Sequence, residues 1–295
     1  MTELAAFLPE QVVGEPMGRD TAAAVGLAAL LVKKTSEDAA FAMLPADHVI
    51  ENATGFREVL RSALAAAARE EILVTIGVRP TEPATGYGYV QRGNLRMDSE
   101  NRPVHEVRRF VEKPDLETAQ GYLDSGDYFW NAGMFVWRPK VILKALATHA
   151  PELHESLRAL DERWSEGESL DSCMQDVYPD LPKISIDYAV MEKADNVVMM
   201  ESDFDWDDVG EWPAVARHFP LDEAGNVIRG EVVALDSADN LVISPKGRLT
   251  ALLGVDDLIV VETEDATLIC HRDKAQEVKR LAQEIGRRED GESWI

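Results

Sequence analysis

The chain has 295 residues, 45% of them apolar and 28% charged, enough for one large or two modest domains, each with its own core. Its formal net charge is −24 and it carries no basic stripe. Nucleic acid and anionic membrane surfaces both require clustered Lys and Arg, so the composition excludes both as principal partners.

The N-terminus, MTELAAFLPEQVVGEP, has no basic region and no long apolar run, and no later stretch approaches ~20 apolar residues. The only two cysteines, Cys173 and Cys270, lie far apart and outside any metal-ligand spacing. They read as inert thiols, and the chain as a cytoplasmic protein. Residues 20 to 34, DTAAAVGLAALLVKK, predict a helix capped by Asp20 or Thr21. FAMLPAD, residues 41 to 47, predicts a short buried parallel strand ending at Pro45 and Asp47. A second helix follows over residues 56 to 70, then the β-branched run ILVTIGV at 72 to 78. Strand, helix and strand with short connections point to a doubly wound α/β sheet.

After TEPATGYGYV (81 to 90), a hairpin-like region leads into VRRFVEKP, a helix near 115 to 125 and the strand MFVWRP. Residues 140 to 175 read as helical throughout, and SIDYAVMEKA (185 to 194) as another helix. NVVMMESDFDWDDVGEW then runs from a strand into a turn. Composition shifts near residue 222, dividing an α/β domain over 1–222 from a β-rich domain over 223–295, which ends in a charged helix at 274 to 287.

Ligands of open α/β sheets gather at the carboxyl ends of strands. Asp47, Glu112 and Asp208 stand at such places. Two aspartates from distant parts of a chain can share Mg²⁺, which takes one or two carboxylates together with phosphate oxygens and water. From spacing alone the plainer reading stands ahead of that one: Asp47 caps a helix and Asp208 starts a turn. Lys113 could meet a phosphate or only a neighbouring carboxylate. Asn131 could read hydroxyls or satisfy a bend, and the glycines of Thr85-Gly86-Tyr87-Gly88-Tyr89 could admit a ligand or form a turn.

Taken together, EPMGRDTA (15 to 22), LPADH (44 to 48), residues 80 to 89, FVEKP (110 to 114), WNAGMF (130 to 135), SIDY (185 to 188) and WDDVG (206 to 210) resemble the bacterial mannose-1-phosphate guanylyltransferases of the nucleotidyltransferase family. The resemblance runs through nearly the whole chain in the family's order. It implies a Rossmann-like nucleotidyltransferase sheet with a small C-terminal β domain, acting on GTP and mannose 1-phosphate to give GDP-mannose and pyrophosphate. It implies that Glu112 and Asn131 read sugar hydroxyls, that Lys113 meets the sugar's phosphate and that Gly88 lies against the sugar. Arg19, Asp20 and Thr21 would border the guanosine, although the family more often has Asn at the position of Asp20. Asp47 and Asp208 would hold Mg²⁺. The resemblance leaves room for a homo-oligomer.

One departure stands out. The family opens with a strand and a GGxGTRxxP loop followed by a Pro-Lys pair, and these 295 residues contain no such segment. Residues 1 to 14 correspond to the approach to the family's third strand. The sequence therefore predicts an N-terminally truncated domain that makes no GDP-mannose alone, unless Arg19 or Lys193 cradles the triphosphate. The alternative is a non-catalytic sugar-phosphate-binding or regulatory paralogue.

Overall fold

The structure is a computed structural model that describes residue 8, residues 11–288 and residues 291–294; the expectation for residues 1 to 14 falls largely outside these. The chain divides into two compact units, Met1–Ala46 with Ile50–Trp206, and Asp47–Val49 with Asp207–Ile295. The division thus falls ahead of the composition shift near residue 222, which marks the start of the β-rich sequence.

The first unit runs α1 (Asp20–Thr35), β1 (Phe41–Met43), α2 (Ala53–Arg69), β2 (Leu73–Val78), β3 (Tyr89–Ser99), β4 (Arg102–Val111), α3 (Leu116–Ser125) and β5 (Tyr128–Trp137). It continues with α4 (Pro139–His149), α5 (Pro151–Ser165), α6 (Leu170–Val177), a single π-helical turn (Asp187–Met191) and β6 (Val197–Glu201). Its six strands form one sheet in the order β1-β5-β2-β6-β4-β3. Period-2 geometry sends alternate side chains to opposite faces. Leu73, Phe135, Trp137 and Met199 join α1, α4 and α5 in one core, while Val74, Met134, Val136 and Met200 join α2 in another. A sheet buried on both faces explains why β2 is apolar along its length, as the sequence indicated.

Several local expectations are corrected. The strand from FAMLPAD spans only Phe41–Met43, is half-buried, and pairs antiparallel with β5. Three residues carry too little pattern to reveal strand direction, and among the described residues only β2 and β6 pair in parallel in this sheet. Residues 140 to 175 form three helices, because Pro151 starts a new one and Gly167, at φ +103, ends the next. The helix expected over 185 to 194 is the five-residue π turn. Neither Asp20 nor Thr21 caps α1: Arg19 occupies the cap without a side-chain bond, and Asp20 sits at φ +65. The hairpin is present as β3 and β4, turning at Glu100 and Asn101, both at positive φ.

The second unit holds α7 (Trp212–Arg217), β7 (Val227–Arg229), β8 (Glu231–Leu235), β9 (Leu241–Ile243), β10 (Leu249–Leu253), β11 (Leu258–Glu262) and β12 (Thr267–His271). A 3-10 turn (Arg272–Glu277) and α8 (Val278–Gly286) follow, so the terminal helix begins later than the sequence suggests. β7, β9 and β11 stack in parallel, as do β8 and β10. Asn226 and Asn240, fully buried, satisfy the backbone between rungs: the Asn240 N–H donates to Asn226 Oδ1 (2.9 Å), and the Leu258 N–H to Asn240 Oδ1 (2.9 Å). Among the described residues no helix is long and apolar enough to cross a membrane.

Candidate active site

Glu112 follows the last residue of β4, and its position is tied to Gly88. A Cβ on Gly88 would collide with Glu112 Oε2, and would sit 3.5 Å from the Asn131 Cβ. Gly88 is held there because its carbonyl accepts the Asn131 N–H (2.8 Å) and the neighbouring Tyr87 ring packs on Trp130 at 5.0 Å. Glycine is required by this close approach of carboxylate to backbone. Glu112 Oε2 is buried and has no hydrogen-bond partner among the described residues. Burial, and next the charge of Asp187, push the Glu112 carboxyl up to about 7; Lys113 opposes the rise and Glu192 adds to it. An acceptor kept unsatisfied in a folded protein is a ligand-binding signal, because it costs stability until something donates to it.

Asn131 is held from three sides. Its Oδ1 accepts the Thr75 hydroxyl (2.9 Å) and the Gly133 N–H (3.2 Å), and its Nδ2 donates to Asp187 Oδ1 (3.0 Å). Two local distortions make this possible. The β2–β5 register shifts between Thr75 and Gly77, and Gly133 takes φ +65, a left-handed conformation inside a strand that glycine alone adopts without strain. Asp187 lies on the π turn; burial raises its carboxyl, while its own backbone and the Asn131 amide pull it back. The Glu192 carboxylate accepts the Glu112 N–H (3.1 Å), so three acidic side chains meet around this point.

Lys113 is exposed and stands at φ +45. Left-handed backbone on a long side chain costs of order 1–3 kcal/mol and concentrates at functional positions. Arg19, Asp20 and Thr21 are engaged with the chain itself. The Arg19 guanidinium donates to the carbonyls of Tyr178 (2.8 Å) and Pro179. Asp20 Oδ1 accepts the Thr21 N–H (2.8 Å), and Thr21 Oγ1 accepts the Ile186 N–H (2.9 Å). These contacts dock the start of α1 onto the SIDY segment.

Asp47 and Asp208 both belong to the second unit. A two-residue antiparallel bridge joins their segments: the Val49 N–H donates to the Asp207 carbonyl (2.8 Å) and the Asp207 N–H to the Val49 carbonyl (3.1 Å). His48 feels Asp47, Asp208 and Asp207 together, although burial outweighs them and lowers its pKa. The two aspartates of the WDDVG turn differ. Asp207 grips Arg217 through both oxygens (3.0 and 3.1 Å) and meets His218 Nε2 at 2.9 Å. Asp208 accepts the Gly210 N–H (3.1 Å), and Val209 between them is strained at φ +50. Among the described residues no group of three or more His, Cys, Asp or Glu could hold a metal ion. Two carboxylates carried on bridged segments suit a hard cation that draws its other ligands from phosphate and water.

Sequence reasoning placed Glu112, Gly88 and Asn131 together, and the structure does so. It missed Thr75, and it named Asp187 within SIDY without its contact to Asn131; these two side chains bond the Asn131 amide. A signal existed for the first: Thr75 is the one hydroxyl in the apolar run LVTIGV, and it is fully buried.

A family model for nucleotidyl transferase matches residues 8–224, and one for a mannose phosphate isomerase/GMP-like β-helix domain matches residues 230–285. A mannose-1-phosphate guanylyltransferase of Klebsiella pneumoniae is 41% identical over 94% of this chain, and one of Escherichia coli likewise. The chain spans 58% of the length of each. A crystal structure from Thermus thermophilus, described as a mannose-1-phosphate geranyltransferase, superposes with a TM-score of 0.77 at 38% identity, covering 92% of this chain and 77% of that one.

Proposed function

Because the chain belongs to the nucleotidyl transferase family, we propose that it carries the sugar-phosphate and cation-binding parts of a mannose-1-phosphate guanylyltransferase. The reaction is GTP plus mannose 1-phosphate to GDP-mannose and pyrophosphate. An oxygen of the sugar phosphate attacks the α-phosphorus of GTP. As that P–O bond forms, the bond from the α-phosphorus to the oxygen bridging to the β-phosphorus breaks, and pyrophosphate leaves with the electron pair. No side-chain nucleophile takes part, so the protein contributes positioning and charge neutralisation.

The observation that carries this reading is Glu112 Oε2, a buried, unpartnered acceptor set against the bare backbone of Gly88 beside Asn131. A sugar hydroxyl supplies the missing donor. Lys113, next in the chain, supplies a point charge for the sugar's phosphate. In the second unit Asp47 and Asp208 are the proposed ligands of Mg²⁺, with Asp207 committed to Arg217 and His218. A cation held by Asp47 and Asp208 would supply positive charge against the phosphates. The free thiols of Cys173 and Cys270 suit a cytoplasmic location.

Isothermal calorimetry of the 295-residue chain with mannose 1-phosphate tests the reading. Binding is expected, weakened ~10-fold or more by Lys113→Ala, since a charged hydrogen bond is worth ~1.5–3 kcal/mol. Absence of binding, or an affinity unchanged in Lys113→Ala, overturns it.

A further inference from the structure

We infer that Thr75 and Asp187 are positioning residues that fix the Asn131 amide in one orientation, so that a sugar meets Asn131 only as a hydrogen-bond donor and Glu112 only as an acceptor. The inference rests on the guanylyltransferase reading and extends it to the origin of sugar selectivity.

The neighbours of Asn131 decide which end of its amide faces which partner. An asparagine amide can be turned end for end with little change in shape, so its orientation is set by its partners. The Gly133 N–H is an obligate donor, and only the amide oxygen can accept from it at 3.2 Å. On the other side Asp187 Oδ1, at 3.0 Å, calls for the amide nitrogen. These two contacts agree, and the Thr75 hydroxyl adds a second donor to the same oxygen at 2.9 Å. The oxygen's two lone pairs are then filled, and the nitrogen retains one N–H. Asn131 has nothing left to offer a ligand except that single donor.

Glu112 offers the opposite. Its Oε2 is buried without a donor. A hydroxyl is both donor and acceptor, so one hydroxyl, or two adjacent ones, can satisfy the carboxylate and receive the amide N–H. Reversing the amide would put two acceptors together and erase the match. Selectivity between sugars that differ in one hydroxyl therefore depends on side chains that need not touch the sugar. The support continues outward: Thr21 Oγ1 accepts the Ile186 N–H at 2.9 Å, anchoring the segment that carries Asp187.

The test is the ratio of dissociation constants for glucose 1-phosphate and mannose 1-phosphate, which differ only at C2, measured by calorimetry on the 295-residue chain. A purely structural role lowers the folded fraction and weakens both ligands alike, leaving the ratio unmoved. Thr75→Val keeps the shape and removes the donor, which frees a lone pair on Asn131 Oδ1 and lets the amide accept as well as donate; the ratio is expected to fall at least ~10-fold as the donor-only match is lost. Thr75→Ser restores the donor and the ratio. Asp187→Ala carries the same expectation and serves where Thr75→Val does not fold. An unchanged ratio in both variants, or a parent that binds both sugars equally, overturns the inference while leaving the proposed function standing. A parent that binds neither sugar overturns both.

Discussion

Replacing Glu112 by Gln separates a carboxylate kept for a ligand from one kept for the fold. Its value is raised from 4.5 to about 7, first by burial and then by Asp187. In full this displacement corresponds to ~3 kcal/mol, and the partial exposure of the side chain reduces it to ~1–2 kcal/mol. The sign follows from linkage. Glu112 is harder to ionise folded than unfolded, so its favourable contribution is whole below about pH 4.5 and is lost as the pH rises through about 7. Glu112→Gln, which cannot ionise, should match the parent at pH 4.5 and exceed it at pH 8 by ~1–2 kcal/mol, or a Tm higher by roughly 2–8 °C in a unit of this size. Scanning calorimetry of both proteins at the two pH values measures this. Mannose 1-phosphate binding should be lost in the same variant. A variant less stable than the parent at pH 8, or an equal difference at both pH values, would make Glu112 a structural residue.

Other outcomes follow from the same geometry. Because a hydroxyl donating to Glu112 favours its ionised form, mannose 1-phosphate binding near pH 7 should release protons, seen as a binding enthalpy that changes with the buffer's ionisation enthalpy; no change would contradict that contact. Gly88→Ala should weaken binding ~10-fold or more and cost under ~1 kcal/mol of stability, because the added Cβ displaces only the flexible end of Glu112. Gly26→Ala should be destabilising by up to ~2 kcal/mol in denaturant titration, since its Cβ would enter Leu157 in the core and the ~1–3 kcal/mol of overpacking outweighs the ~1 kcal/mol gained in helix propensity. Val209→Gly should raise stability by ~1 kcal/mol by relieving the left-handed backbone at φ +50.

What the sequence disclosed, and what it hid, follow from the range of each interaction. β2, the β3–β4 hairpin and the β-rich second unit announce themselves through local composition and turn residues. The direction of β1 is set by its pairing with β5, far along the chain, and three residues carry too little pattern to reveal it. The breaks at Pro151 and Gly167 were visible as residue types but were outweighed by the charged and apolar alternation around them. At the site, Glu112, Gly88 and Asn131 were legible only as members of motifs. Nothing in the local sequence says that Asp187 turns the Asn131 amide, because the two meet through tertiary packing alone. Likewise Asp207 and Asp208 are indistinguishable in the string WDDVG, whereas in the fold Asp207 is gripped by Arg217 and His218.

Pyrophosphate release from GTP and mannose 1-phosphate is the measurement that tests the proposed guanylyl transfer. The 295 residues contain no GGxGTRxxP loop, and losing a single well-placed charge donor typically costs ~10²–10³ in rate, so this polypeptide alone is expected to show no turnover. The same residues placed behind a strand, that loop and its lysine should release pyrophosphate in step with GDP-mannose, and Asp208→Asn should abolish the release. Robust turnover by the 295 residues alone would instead place the triphosphate on another basic group such as Arg19 or Lys193. A loop-bearing protein that binds mannose 1-phosphate and releases no pyrophosphate would rule out guanylyl transfer.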